Sequence, residues 1–169
     1  MADEIVNKVA NSALFPVNLE DYYRAERRIF IDLKDWLYEG IMLREKDYRA
    51  AIAEHDFSQY ADAYVAVDCT EDAIVPTWAY MLMASSLAPH AKKVVVGSLD
   101  HLESVLYQEI IDDLDVEEFR DQRIILKGCG DKPVPMDAFA AFVQKVQPVA
   151  KSIMFGEPCS TVPVFKKRA

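Results

Sequence analysis

The sequence predicts an α/β protein built on a mostly parallel sheet with helices on both faces, a three-layer arrangement. Three observations favour this class: short apolar runs recur, each run ends at turn residues, and the first three are followed by apolar residues at helical spacing. Strands that alternate with helices pair in parallel, because each helix carries the chain back across the sheet. At 169 residues the chain fits one domain, with residues 1–60 as an α+β extension packed on an α/β core of residues 61–169.

The first half of the predicted core contains two strand-helix pairs. Residues 64–68 form an apolar strand, and a proline then opens an apolar helix over residues 76–87. Residues 94–96 form the next strand, and Ser98 can cap the helix that follows. The apolar positions of that helix fall on one face. They are Leu99, Leu102, Val105, Leu106 and Ile110.

The second half of the predicted core repeats the pattern once and then ends on a strand. Residues 123–127 form a strand, and residues 136–146 form a one-faced helix between two prolines. Residues 152–155 form a fourth strand, which Gly156 ends before a basic tail. We expect the basic run Lys166-Lys167-Arg168 in that tail to be solvated.

The first sixty residues have a mixed pattern. Residues 3–13 and 44–55 are predicted to be helical, whereas residues 28–33 and 40–43 are predicted to be extended. We expect this region to extend the sheet and to cover one of its edges.

Composition excludes several classes of partner. The net charge of −9 and the pI near 4.8 argue against nucleic acid, because proteins that bind it concentrate Lys and Arg on one face. An acidic start without an apolar stretch, and the lack of a run long enough to span a bilayer, predict a cytoplasmic protein without a membrane partner. The oligomeric state is left open by the sequence, which is compatible with a dimer.

Three cysteines, Cys69, Cys129 and Cys159, each follow a predicted strand, and each is followed after a short loop by a Val-Pro pair. In an open parallel sheet, ligands bind beyond the carboxyl ends of the strands. We therefore expect the three thiols to face one site, where thiolates suit zinc or an iron-sulfur cluster. His101, near the start of the helix after the second strand, is the nearest candidate for a fourth ligand.

Two other functions remain open from the residues. The first is a thiol-dependent enzyme or sulfur carrier that uses Cys129, which lies between two glycines and close in sequence to Lys127 and Lys132. The second is an interaction scaffold whose cysteines are buried packing residues. No Cys-x-x-Cys pair, P-loop or Gly-x-Ser-x-Gly motif occurs, so catalytic residues are not identified by sequence.

Three segments resemble a bacterial family known as domain of unknown function 2480. They are CTEDAIVPTWAYM at residues 69–81, KGCGDKPVP at residues 127–135 and GEPCSTVP at residues 156–163. IDLKDW at residues 31–36 and LREKDY at residues 43–48 resemble it too. The family is typical of Bacteroidetes and has no assigned activity, but its genes often lie near genes for iron-sulfur cluster assembly. The resemblance implies a cysteine site that holds metal or passes sulfur, and partners among iron-sulfur assembly proteins.

Overall fold

The computed structural model describes residues 13–128 and 130–168, which fall into two compact units. The terminal unit comprises residues 13–23 and the described residues from 106 to 168. The central unit comprises Arg24–Val105. The single-domain organisation over residues 1–169 stays a prediction.

The described residues form seven strands and four α-helices. The strands are β1 (Leu14–Asn18), β2 (Arg28–Asp32), β3 (Tyr64–Asp68), β4 (Lys93–Val96), β5 (Arg123–Lys127), β6 (Ser152–Glu157) and β7 (Ser160–Lys166). The helices are α1 (Glu45–Glu54), α2 (Thr77–Leu87), α3 (Leu99–Asp112) and α4 (Met136–Val146). None of these helices is long and apolar enough to cross a membrane.

These elements confirm the predicted α/β class and the order of the core elements. Ser98 caps α3 as predicted, since its hydroxyl accepts a hydrogen bond of 3.1 Å from the backbone N–H of His101. The segment at residues 40–43 forms isolated bridges instead of a strand. The helix predicted over residues 3–13 lies outside the described residues, apart from its last position.

The central unit contains a parallel sheet in the order β2-β3-β4. Side chains alternate between the faces of a strand, so Val65 and Val67 of β3 lie on the same face as Ile31 of β2. All three belong to one apolar core with Met83 and Leu87 of α2. Burial of this face fixes the register of the three strands.

The terminal unit contains a second sheet in the order β1-β5-β6-β7, in which the first two pairings are parallel and the third is antiparallel. Leu126 of β5 lies between Val17 of β1 and Phe155 of β6. The core of this unit includes Val17 and Leu126 together with Phe142 and Val146 of α4. α4 therefore covers the sheet face that these side chains share.

The structure differs from the expectation of one continuous sheet, because β2, β3 and β4 pair separately from β1, β5, β6 and β7. β5 follows β4 along the chain but pairs instead with β1, from near the amino end. Hydrophobic periodicity indicates where strands lie and leaves open which strands pair. The expectation that Cys69, Cys129 and Cys159 follow strands of a single sheet is therefore wrong.

β7 is a strand that the sequence analysis placed in the tail. It forms a hairpin with β6, and Lys166 pairs with Ser152 at its far end. The segment was not predicted as a strand because it contains Pro163, which lacks a backbone N–H and is uncommon inside strands. The proline is accommodated because β7 lies at the edge of the sheet and the pairing shifts register beside it, between Ile153 and Met154.

Candidate functional site

A small pocket opens at the carboxyl ends of β1 and β5 in the terminal unit, with a volume of about 70 Å³. This is the edge of a parallel sheet at which ligands usually bind. Its walls come from the end of β1 and the turn after it, from the end of β5 and the loop after it, and from the first turn of α4. They are Asn18, Glu20, Lys127, Gly128, Gly130, Lys132, Val134 and Phe139. The pocket can hold a few waters or a small functional group.

Both glycines of the loop are packed against side chains that leave no room for a Cβ. A Cβ at Gly128 would lie 2.0 Å from Cζ of Phe155, and one at Gly130 would lie 1.9 Å from Cδ of Glu20. Gly128 therefore lies against an aromatic ring, and Gly130 lies against a carboxylate. Cys129, the residue between them in sequence, is the single side chain that this loop segment carries, and its own placement lies outside the described residues.

Glu20 joins the two sides of the pocket. Its carboxylate accepts a hydrogen bond from the backbone N–H of Lys132, in the loop after β5. Its own backbone N–H donates to Oδ1 of Asn18 at 3.1 Å, so the turn after β1 is fixed as well. These two contacts hold the loop against the end of β1.

Two lysines supply positive charge around the pocket. Nζ of Lys127 lies 3.8 Å from the carboxylate of Glu157, a long and partly exposed ion pair. Nζ of Lys132 lies 5.3 Å from the centre of the Tyr23 ring, within the range of a cation–π contact. The positive amino end of α4 also points to this edge, because α4 follows a parallel strand. These positive charges lie beside the carboxylate of Glu20, which also lines the pocket.

Cys159 lies in the two-residue turn of the β6-β7 hairpin, where Glu157 pairs with Ser160. The cysteine is exposed. Because β5 and β6 are parallel neighbours, this turn lies at the same edge of the terminal sheet as the loop after β5. Two of the three predicted ligands, Cys129 and Cys159, thus follow adjacent strands.

Cys69 belongs to the central unit, where it follows β3. It is half-buried, its backbone N–H donates to Oδ1 of Asp68 at 2.8 Å, and its Sγ lies 3.6 Å from the carbonyl oxygen of Glu71. Burial raises the pKa of the nearby Tyr80, and the charges of Asp68 and Asp32 raise it further. The surroundings of Cys69 are thus acidic, whereas the pocket of the terminal unit is lined by two lysines and one glutamate.

Asp32 fastens the loop that carries Cys69. Its carboxylate accepts hydrogen bonds from the Thr70 hydroxyl at 2.5 Å and from the Lys34 backbone N–H at 3.1 Å. Burial raises the pKa of Asp32, but these hydrogen bonds outweigh it and lower the pKa from 3.8 to about 2. The carboxylate therefore stays ionised and ties the end of β2 to the loop after β3.

His101 lies at the start of α3, beside the carboxyl end of β4. Its ring packs over Gly97, where an added Cβ would lie 2.9 Å from Cδ2 of the histidine. Within residues 13–128 and 130–168, no three His, Cys, Asp or Glu side chains are grouped so that they could hold a metal ion. A shared metal site of Cys69, Cys129, Cys159 and His101 requires a residue outside that range and stays a prediction.

The residues that build the pocket around the loop were not predicted from the sequence. Glu20, Asn18 and Phe155 are distant from the Gly128–Gly130 segment in sequence and reach it only through strand pairing. Two sequence features gave a weak indication of this pocket. Asn18 followed by acidic residues is typical of a capped turn. Two glycines around one residue indicate that other groups approach the backbone closely.

Comparison with known proteins identifies a family and no characterised relative. A family model described as "Protein of unknown function (DUF2480)" matches residues 3–167. Searches of curated proteins and of solved structures give no match. Since the model spans nearly the whole sequence, the chain belongs to the DUF2480 family of proteins of unknown function.

Proposed function

We propose that this protein is a thiol-dependent enzyme or sulfur carrier whose reactive group is the thiol of Cys129. The observation that supports the proposal is the pocket at the loop after β5, where Gly128 and Gly130 are closely packed and Lys127 and Lys132 supply positive charge. A cysteine thiol becomes nucleophilic when nearby cations stabilise its thiolate.

The sulfur-carrier form of this function needs no cofactor. A donor persulfide, R–S–SH, meets the Cys129 thiolate, the S–S bond of the donor breaks and a new S–S bond forms on Cys129. The donor leaves as the thiolate R–S⁻, and the carried sulfur stays on Cys129 as a persulfide, so atoms and charge balance. Lys127 and Lys132 would stabilise the anionic forms of both partners.

Metal binding through Cys69, Cys129 and Cys159, with zinc or an iron-sulfur cluster, has less support than the thiol function. Cys69 follows a strand of the central sheet, whereas the other two follow strands of the terminal sheet. Elemental analysis and the absorption spectrum of protein purified without oxygen test this alternative directly. About one metal ion or cluster per chain, lost when any one of the three cysteines becomes serine, would favour it.

Persulfide loading tests the proposed function. Reduced, metal-free protein is mixed with cysteine persulfide, and each cysteine is examined by peptide mass spectrometry for the addition of one sulfur atom. We expect Cys129 to load fastest, Cys129→Ser to abolish that loading, and the double variant Cys69→Ser/Cys159→Ser to retain it. Equal loading of Cys129 and the exposed Cys159 would contradict the proposal.

The lysines provide a second, independent test. Lys127→Gln and Lys132→Gln remove positive charge from the pocket and are expected to slow the loading of Cys129. Lys46→Gln is the matched control, because it removes the same charge from an exposed position on α1 of the central unit. Loading that falls equally in all three variants would reflect net charge and not the pocket.

A further inference from the structure

A second cavity lies at the opposite end of the terminal sheet, at the amino ends of the parallel strands. Its volume is about 460 Å³, within the range of small-molecule sites. All four strands of the sheet contribute to it. Its lining residues are Leu14, Arg123, Lys151, Ser152, Met154, Pro163, Phe165, Lys166 and Lys167. We call it the basic groove, and it is separate from the pocket at the Cys129 loop.

Strand register explains why these residues meet. Leu14 pairs with Arg123, Arg123 pairs with Ser152, and Ser152 pairs with Lys166. One row of cross-strand neighbours thus runs across the whole sheet. Met154 and Pro163 form a pair further along the hairpin, beyond the pair of Ile153 and Phe165, and continue the apolar part of the lining.

The charge of the basic groove is opposite to that of the chain. Four of its nine lining residues are cationic, although the chain carries a net charge of −9. Among the described residues, the ion pair found for these four joins Lys167 to Asp121, at 3.9 Å. Arg123, Lys151 and Lys166 make no ion pair in that part of the chain. The groove therefore offers positive charge that is available to a ligand.

The floor of the basic groove is apolar. Leu14, Met154, Pro163 and Phe165 are its apolar lining residues, and Phe165 also packs against the core of the terminal unit. A small inorganic anion would leave this surface in contact with water, and a neutral apolar molecule would leave the cations without a partner. A ligand that satisfies both parts has an apolar body and an anionic head.

We propose that the basic groove binds a free amphipathic carboxylate, an alkyl chain that ends in one carboxylate group. The alkyl chain lies along the apolar floor and the carboxylate contacts the lysines and arginine of the rim. This site is independent of the proposed thiol function, since it lies at the other end of the strands and shares no lining residue with that pocket.

Titration calorimetry with the whole protein tests the anionic head and the alkyl chain of the ligand separately. Octanoate, decanoate and dodecanoate are titrated below the concentrations at which they form micelles, and affinity should rise about fourfold per added methylene that is buried. Decanol and decyltrimethylammonium should bind at least about tenfold more weakly than decanoate, because they lack the negative charge. Equal binding of decanol would overturn the proposal.

Variants connect the binding to the groove. Lys151→Gln/Lys166→Gln should weaken decanoate binding about fivefold to tenfold, a loss typical of two exposed charge contacts. Lys46→Gln should leave it unchanged. Leu14→Gln should weaken binding and reduce the dependence on chain length, with circular dichroism as the check on folding. Unchanged binding in both groove variants would place the ligand elsewhere and overturn the proposal.

Two further outcomes identify other occupants. Binding to anionic phospholipid vesicles without binding to free decanoate would show a lipid surface as the partner and overturn the proposal. Sedimentation as a dimer that leaves decanoate unbound would show a second copy in the groove and overturn it as well.

Discussion

The packing of Gly128 against Phe155 leads to the sharpest prediction on the candidate site. Gly128→Ala places a Cβ 2.0 Å from Cζ of Phe155, so the ring must move. The ring is not free to move without loss, because it makes an edge-to-face contact with Phe139 at 5.8 Å between centroids. The backbone itself accepts alanine, since Gly128 does not have the positive φ that disfavours other residues. The cost of the substitution therefore comes from the ring.

Two opposing effects set the change in the free energy of unfolding that Gly128→Ala causes. Overpacking of this kind costs about 1–3 kcal/mol, which includes an aromatic contact of about 0.5–1.5 kcal/mol. Replacing glycine by alanine at a compatible position also restricts the unfolded chain and stabilises by about 0.4–1 kcal/mol. We expect Gly128→Ala to lower the free energy of unfolding by about 1–2 kcal/mol in the wild-type background. In a Phe155→Ala background the same change should be neutral or stabilising.

A double-mutant cycle measures this difference. Urea unfolding of wild type, Gly128→Ala, Phe155→Ala and the double variant, followed by circular dichroism, gives the coupling free energy between the two positions. We expect a coupling of about 1.5–3 kcal/mol. The same cost for Gly128→Ala in both backgrounds would refute the close packing of Gly128 against Phe155, which is one of the observations that support the proposed function.

Two predictions concern the central unit. Glu103 is 7% exposed, and its Oε1 lies 2.6 Å from Nε of Arg28. Glu103→Ala leaves the arginine charge without this partner and should lower the free energy of unfolding by about 3 kcal/mol, measured by urea unfolding. Glu117→Ala, which breaks an exposed ion pair with Arg120, is the control and should cost under about 1 kcal/mol. Thr70→Val removes a hydrogen bond that lowers the pKa of Asp32 to about 2, so it should raise that pKa toward 3.8 and destabilise the protein at neutral pH. Because the pKa of Asp32 is lower in the folded protein, its carboxylate stabilises the fold above pH 4, and this stabilisation is lost as the pH falls toward 2. The difference in urea midpoint between wild type and Thr70→Val should therefore shrink over that interval. A constant difference would contradict the role given to the Thr70 hydrogen bond.

Local pattern predicted the individual elements well and their assembly poorly. The runs at residues 64–68 and 123–127 are strands because apolar, β-branched residues fill them, and this property is visible in the sequence. The pairing of β1 with β5 depends on residues more than one hundred positions apart, and periodicity carries no information about it. β7 was missed because Pro163 is tolerated at a sheet edge and excluded from a central strand.

The candidate site was predicted in part. The sequence predicted a reactive loop after β5, because Cys129 lies between two glycines and near Lys127 and Lys132. Gly128, Gly130 and the two lysines do line a pocket. The approach of Glu20 to that loop could not be predicted, because it arises from the pairing of distant strands. The prediction that all three cysteines lie at one sheet edge assumed one continuous sheet. Because β3 pairs in a separate sheet, this reason no longer applies to Cys69.

The relative reactivity of the three thiols tests the central claim most directly. Reduced wild-type protein is alkylated with iodoacetamide over a range of pH, and the rate at each cysteine is followed by peptide mass spectrometry in the native state. The thiol proposal predicts that Cys129 reacts faster than the exposed Cys159 near neutral pH, and that Lys127→Gln/Lys132→Gln slows Cys129 alone. If Cys129 reacts no faster than Cys159, or only after unfolding, Cys129 is not the reactive group of this protein.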